Sequence, residues 1–182
     1  MPIWDIDLNT VHVTRHDHRS GRGERGVRQH SGLLLPDDHV RRNGVPVTSA
    51  TRSALDITTV ASTEQSLVVV DALLHGGATS LDLLADRYRT MVQWPNTLHT
   101  DLVLRLADGR SESAGETRTR YLCWRHGLPA PILQFEVYDE QGNLIGVTDF
   151  APALFGSRAD RSATREALAK LLFDSSIENG QS

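Results

Sequence analysis

Glu116 and Asp149 are the two side chains of this sequence whose setting most suggests chemistry. Both lie in Ser111–Phe150, which reads SESAGETRTRYLCWRHGLPAPILQFEVYDEQGNLIGVTDF. The pattern predicts a helix opening near Ser113, then two strands joined by a turn. Glu116 falls in the first helical turn, and Asp149 near the end of the second strand. A helix packed on such a hairpin can bring the two carboxylates together. Paired carboxylates can hold a divalent metal, because hard cations take oxygen ligands. The same residues also have a purely structural reading. Ser113 and Glu116 stand at capping-box spacing, and Glu116 can pair with Arg120 at i+4. Asp149 can simply close a strand. The sequence leaves both readings open.

Two segments, SESAGETRTR and GLPAPILQFEVYDEQGNLIGVTDFA, together resemble the short endonuclease-like domain related to very-short-patch repair nucleases. That domain belongs to the PD-(D/E)xK restriction-endonuclease-like superfamily. Upstream, VHVTR at Val11–Arg15 and GVPVTSATRSALDI at Gly44–Ile57 resemble the abortive-infection-type antitoxin region that commonly precedes it. The resemblance covers roughly residues 8–151. It implies a metal-dependent endonuclease acting on DNA, with Glu116 and Asp149 as catalytic residues and ligands of a Mg²⁺ cofactor. The metal would activate water and stabilise the pentavalent phosphate. Arg118 and Arg120 are the implied nucleic-acid contacts.

Both ends depart from the family pattern. Relatives usually begin with a winged helix-turn-helix, for which the residues before Val11 leave no room. After the Asp-Phe pair they usually continue into a strand with an acidic pair, an aromatic, Gly and Lys. Here the chain reads APALFGSRADRSATREALAKLLFDSSIENGQS. Its nearest acids, Asp160 and Glu166, have no strand pattern around them, and Lys170, the chain's sole lysine, falls in a helical pattern. The expectation is an endonuclease-like protein of phage defence or DNA repair with an incomplete metal site. The alternative is an antitoxin-like or regulatory binding protein without catalysis, whose partner is a cognate toxin or another protein. A third reading is a truncated or frameshifted frame, suggested by the change of character after Phe150.

Composition narrows the classes. At 39% hydrophobic and 23% charged, the 182-residue chain fits an ordinary globular protein. Its formal net charge of −4 gives no overall signal for nucleic acid. Locally, Arg15–Arg28 holds five arginines against two acids. It reads first as an exposed, mobile hairpin loop and second as a phosphate contact. The single cysteine, Cys123, excludes an internal disulfide and is expected to pack as a small hydrophobe. His16-Asp17-His18 reads as a solvated loop. No Cys/His spacing fits structural zinc. With no membrane-length apolar run and no signal-peptide core, the expected location is cytoplasmic.

The elements that must position the carboxylates follow from periodicity and punctuation. Leu8–Arg15 and Val27–His30 read as strands, and Asn43-Gly44 as a turn before the strand Val45–Val47. These pieces suggest one small, curved sheet. Thr48 or Ser49 caps a helix to about Val60, in which Arg52 and Asp56 can pair at i+4. Ser62 and Gln65 form a capping box, and Gly76-Gly77 ends that helix. Ser80 caps a third helix, about Leu81–Val92, and Thr97 opens a fourth to about Leu106. The expected fold class is α+β. It divides into a small β region over 1–49, a helical cluster over 50–109, an endonuclease-like helix–hairpin core over 110–151 and a divergent tail over 152–182.

Overall fold

The computed structural model describes residues 9–15, 24–91, 97–139 and 141–151. The fold is α+β. Among the described residues, three separate two-stranded sheets accompany five α-helices. The chain divides between Ala114 and Gly115 into two compact units. No helix among the described residues is long and apolar enough to cross a membrane.

The first unit opens with β1 (Val11–Arg15) and β2 (Val27–Ser31). They pair in parallel, with Val11 opposite Val27 and Arg15 opposite Ser31. This corrects the expected hairpin, which would make them antiparallel. Parallel strands are joined by a crossover and not by a hairpin turn. Residues 16–23, most of the predicted mobile loop, lie outside the described residues, as do His16 and His18. The described Glu24, Arg25 and Gly26 are exposed. A second correction concerns the single curved sheet, because β3 (His39–Arg42) and β4 (Val45–Thr48) form a ribbon of their own. Its two-residue turn has Asn43 at φ 51° and Gly44 at φ 80°. Two successive left-handed residues suit the twist of a tight hairpin, and Asn-Gly is the pair best able to supply them.

Four helices follow: α1 (Ala50–Val60), α2 (Thr63–His75), α3 (Leu81–Arg89) and α4 (Thr97–Leu106). Ser49, Ser62 and Ser80 cap the first three, each accepting from a backbone N–H three residues on. Gln65 completes the capping box at Ser62. The α2 end is closed by Gly77 at φ 64°, where Gly77 N–H donates to Leu74 O and Ala78 N–H to Leu73 O. That paired closure needs a residue free to turn left-handed, hence glycine. The third helix stops at Arg89, short of the expected Val92, where Thr90 N–H and Met91 N–H donate only three residues back, to Arg87 O and Tyr88 O.

The interior of this unit is apolar where the helices meet. Ala54 and Leu55 of α1, Leu67, Val68 and Val70 of α2, Leu84 of α3, Met91 beyond its end and Val103 of α4 are all buried. Each leucine, valine or methionine side chain among these contributes about 1.5–3 kcal/mol on removal from water. Polar pins set the register. Thr58 and Thr100 share a buried hydroxyl bond of 2.7 Å between α1 and α4. His99 Nδ1 lies 2.5 Å from Thr58 O, and its Nε2 lies 2.7 Å from Thr63 Oγ1. A carbonyl only accepts, so Nδ1 carries the proton, and in the neutral ring Nε2 accepts from the threonine. Asp71, fully buried on α2, accepts from Asp108 N–H at 2.8 Å.

The β region is fastened to the helices by charge. Asp38, at the end of a short 3₁₀ turn over Pro36–Asp38, is buried, as is Arg52 of α1. Arg87 of α3 donates to both oxygens of Asp38 at 2.7 and 2.6 Å, and Arg52 donates to one at 3.0 Å. Arg52 also reaches Asp56 at 2.8 Å and the Leu33 carbonyl at 2.8 Å. Burial alone would raise the Asp38 pKa, but bonds from Arg87, Leu35 N–H and Arg52 outweigh it and hold it below the ordinary value.

Replacing Asp38 should therefore be severe. Asp38→Ala strands two guanidinium groups without their shared anion and is expected to cost about 3–5 kcal/mol in denaturant unfolding. The same bonds give a pH signature. A carboxylate with a depressed folded pKa stabilises above its unfolded value and loses that contribution as pH falls through the folded one. Wild-type stability should thus decline below about pH 4, and Asp38→Asn should lack that component. A wild-type acid limb that survives unchanged in the variant would contradict the assignment.

Candidate functional site

The second unit holds both candidate carboxylates. The helix α5 (Ala114–Arg125) places Glu116 in its first turn. There the side chain is buried, only 5% exposed, beside the fully buried Thr117. Arg118 and Arg120 are half-buried along the same helix. Tyr121 and Trp124, at i+3, bring their ring centroids to 5.8 Å. Cys123 is half-buried, and burial pushes its thiol pKa up, consistent with packing rather than reactivity. Gly127 at φ 68° ends the helix, with Gly127 N–H donating to Trp124 O and Leu128 N–H to Cys123 O.

The strands β5 (Ile132–Tyr138) and β6 (Leu144–Ala151) then form an antiparallel hairpin. Asp139 organises its turn. Its Oδ1 accepts from Gln141 N–H and Asn143 N–H, its Oδ2 from the Asn143 side chain, and Gly142 supplies φ 84°. The Asn143 side-chain bond leads in holding the Asp139 pKa down.

One strand residue is irregular. Gln134 takes φ 51° inside β5, a conformation that a non-glycine side chain adopts at a cost. The register is intact on either side, with Leu133 opposite Phe150 and Phe135 opposite Thr148. Gln134 and Asp149 are therefore the facing positions between those two pairs. The Gln134 amide donates to Glu116 Oε2 at 3.4 Å, a long bond. The helix carboxylate is thus tied to the strand position that faces Asp149. Asp149 itself is exposed on β6.

Gln134 is not among the residues that the sequence pattern singles out. The available signal was a polar residue set in the apolar run Ile132-Leu133-Gln134-Phe135. Asp160, Glu166 and Lys170 lie outside the described residues, as does the whole divergent tail. Among the described residues, no group of three or more His, Cys, Asp or Glu is arranged to hold a metal. The local donors are hard oxygens, which suit Mg²⁺. That ion commonly takes one or two carboxylates and keeps several waters. No family model, curated protein or solved structure matches the chain.

The bend at Gln134 and its contact with Glu116 are separable by substitution. Gln134→Gly accepts the left-handed backbone freely, so its unfolding free energy should change by less than about 1 kcal/mol. Gln134→Val removes the same contact but forces a β-branched residue into that region, and should cost about 1–3 kcal/mol. Equal losses from both would place the stabilisation in the side-chain contact instead of the backbone.

Proposed function

We propose that this protein is an endonuclease-like module, of phage-defence or DNA-repair type, with a rudimentary metal site and little or no cleavage activity. The observation that carries the reading is the link from Glu116 through Gln134 to the strand position facing Asp149. The resemblance to very-short-patch repair nucleases implies a helix followed by a hairpin, and that order supports the reading. Glu116 and Asp149 would hold Mg²⁺, which, when bound, supplies Lewis-acid polarisation of a phosphate and a more acidic water. Arg118 and Arg120 would offer positive charge to DNA phosphate. Neither can serve as a base, because a guanidinium stays protonated.

Two carboxylates position a metal only loosely. Phosphodiester cleavage also needs charge stabilisation at the attacked phosphate and an oriented nucleophile. The module is therefore read as binding metal more readily than it cuts. A second reading, an antitoxin-like or regulatory binding protein, draws on a different observation. Leu144, Ile145 and Val147 of β6 are all more than half exposed, an apolar strand suited to a protein partner.

Calorimetric titration with Mn²⁺ should give weak binding that falls at least about tenfold in Asp149→Ala, the loss expected from removing one of two charged ligands. Glu116→Gln should weaken it similarly while leaving helix content unchanged by circular dichroism. Supercoiled plasmid should remain intact with the purified chain and Mg²⁺. Metal-dependent nicking abolished by Asp149→Ala would establish an active nuclease. Absence of Mn²⁺ binding would remove the metal site and favour the binding-protein reading.

A further inference from the structure

The ribbon of β1 and β2 is a weakly supported element. A parallel pair is slightly less stable per residue than an antiparallel one, and an isolated two-stranded ribbon is marginal in water. Val11 and Val13 are 59% and 41% exposed, so apolar burial does little to hold β1 in place. The side-chain bonds that bridge the strands therefore carry unusual weight. They include Arg15 to Gln29 at 3.3 Å and a direct bond of 2.9 Å between His12 Nδ1 and His30 Nε2. The two imidazole centroids are 4.9 Å apart, with their planes at 21°.

An imidazole–imidazole bond needs one lone pair. It forms when both rings are neutral, and it survives one added proton, since a cationic ring can donate to a neutral one. With two added protons both facing nitrogens become donors. The bond is then lost, and two cations are left in contact. We propose that the His12–His30 pair is a pH-operated clasp on the β1–β2 ribbon, closed while the pair carries at most one added proton and released when both rings are protonated.

The surroundings set the direction. Burial, the neighbouring His12 and Arg28 of β2 all disfavour a charge on His30, while Asp56 of α1 favours it. Asp56 is itself engaged by Arg52, which blunts its help. The net effect lowers the His30 pKa below the ordinary imidazole value of about 6.5. Between that value and the lowered one, separated strands bind more protons than clasped strands. The clasp therefore weakens as pH falls through this window and is at full strength above it.

Amide hydrogen exchange on the full chain tests the clasp directly. Protection factors, corrected for intrinsic exchange, should fall about tenfold for Val13 and Gln29 between about pH 7.5 and about pH 5. Those of Leu67 and Val70 in the helical core should stay level. In His12→Gln the dependence should shrink to what burial and Arg28 alone impose on His30, because the amide neither titrates nor repels. A flat profile in the wild type, or an unchanged slope in His12→Gln, would overturn the proposal. Should His12→Gln leave the ribbon open at every pH, imidazole ¹⁵N spectra of the wild type decide. Coupled titration, with His30 below the ordinary value, supports the clasp, and two independent rings at the ordinary value refute it.

Discussion

Much of the first unit depends on one buried carboxylate. Removing an ion from water costs several kcal/mol even after relaxation, so Asp38 is tolerable only because its surroundings are built to meet it. Arg87 supplies a two-pronged contact from α3, Arg52 a third bond from α1, and Leu35 N–H a fourth from the turn itself. Arg52 also donates to Asp56 and to the Leu33 carbonyl. Four side chains and two backbone groups thus fix where the chain leaves the ribbons and enters the helices. Opposite charges in such a cluster contribute specificity more surely than stability, because a hydrophobic cluster of the same volume could be as stable. What the charges prevent is a sliding contact. The Arg87 fork fits a single orientation of Asp38.

Local signals in the sequence were strong where a single residue carries a local job. Ser49, Ser62 and Ser80 announce three helix starts, and Asn43-Gly44 announces its hairpin, because capping and left-handed turns depend on nearby backbone alone. The Arg52–Asp56 pair was legible for the same reason, as neighbours one turn apart. Asp38 and Arg87 were not. They are 49 residues apart, and Pro36-Asp37-Asp38 has the composition of any solvated turn. The strand pairing failed for a related reason. Alternation identifies β1 and β2 as strands but says nothing about their relative direction. At the candidate site, the acids were readable by type and order. Gln134 was hidden because left-handed backbone inside a strand has no signature in residue type when glycine or asparagine is not used.

The second unit is held together differently. Its hairpin buries Leu133 and Ala151 but leaves Ile132, Leu144, Ile145 and Val147 substantially exposed. A sheet of three or more strands normally resolves this by widening the covered face. The hairpin instead owes its geometry to polar devices: the Asp139 turn, the irregularity between Val137 and Tyr138, and the bend at Gln134. These define where the strands run while supplying little burial among the described residues.

That contrast bears on what the two acids can do. Glu116 is buried on a helix and Asp149 is exposed on a strand, so their solvation is unequal. A divalent ion between them would be held tightly on one side and left open to water on the other. Such a half-open setting suits a hydrated Mg²⁺, whose reluctance to shed water makes an all-protein cage unnecessary. It also limits catalysis, since a loosely held ion does not fix the angle of attack on phosphorus. Gln134 sharpens the point. Its amide ties Glu116 to the hairpin without adding charge, so in the proposed reading it would order the site without raising its affinity for a cation. In the proposed reading the geometry of a nuclease centre therefore outlasts its chemistry. A neutral side chain ties Glu116 to the strand position facing Asp149, and among the described residues no third acid joins them in a metal-holding group.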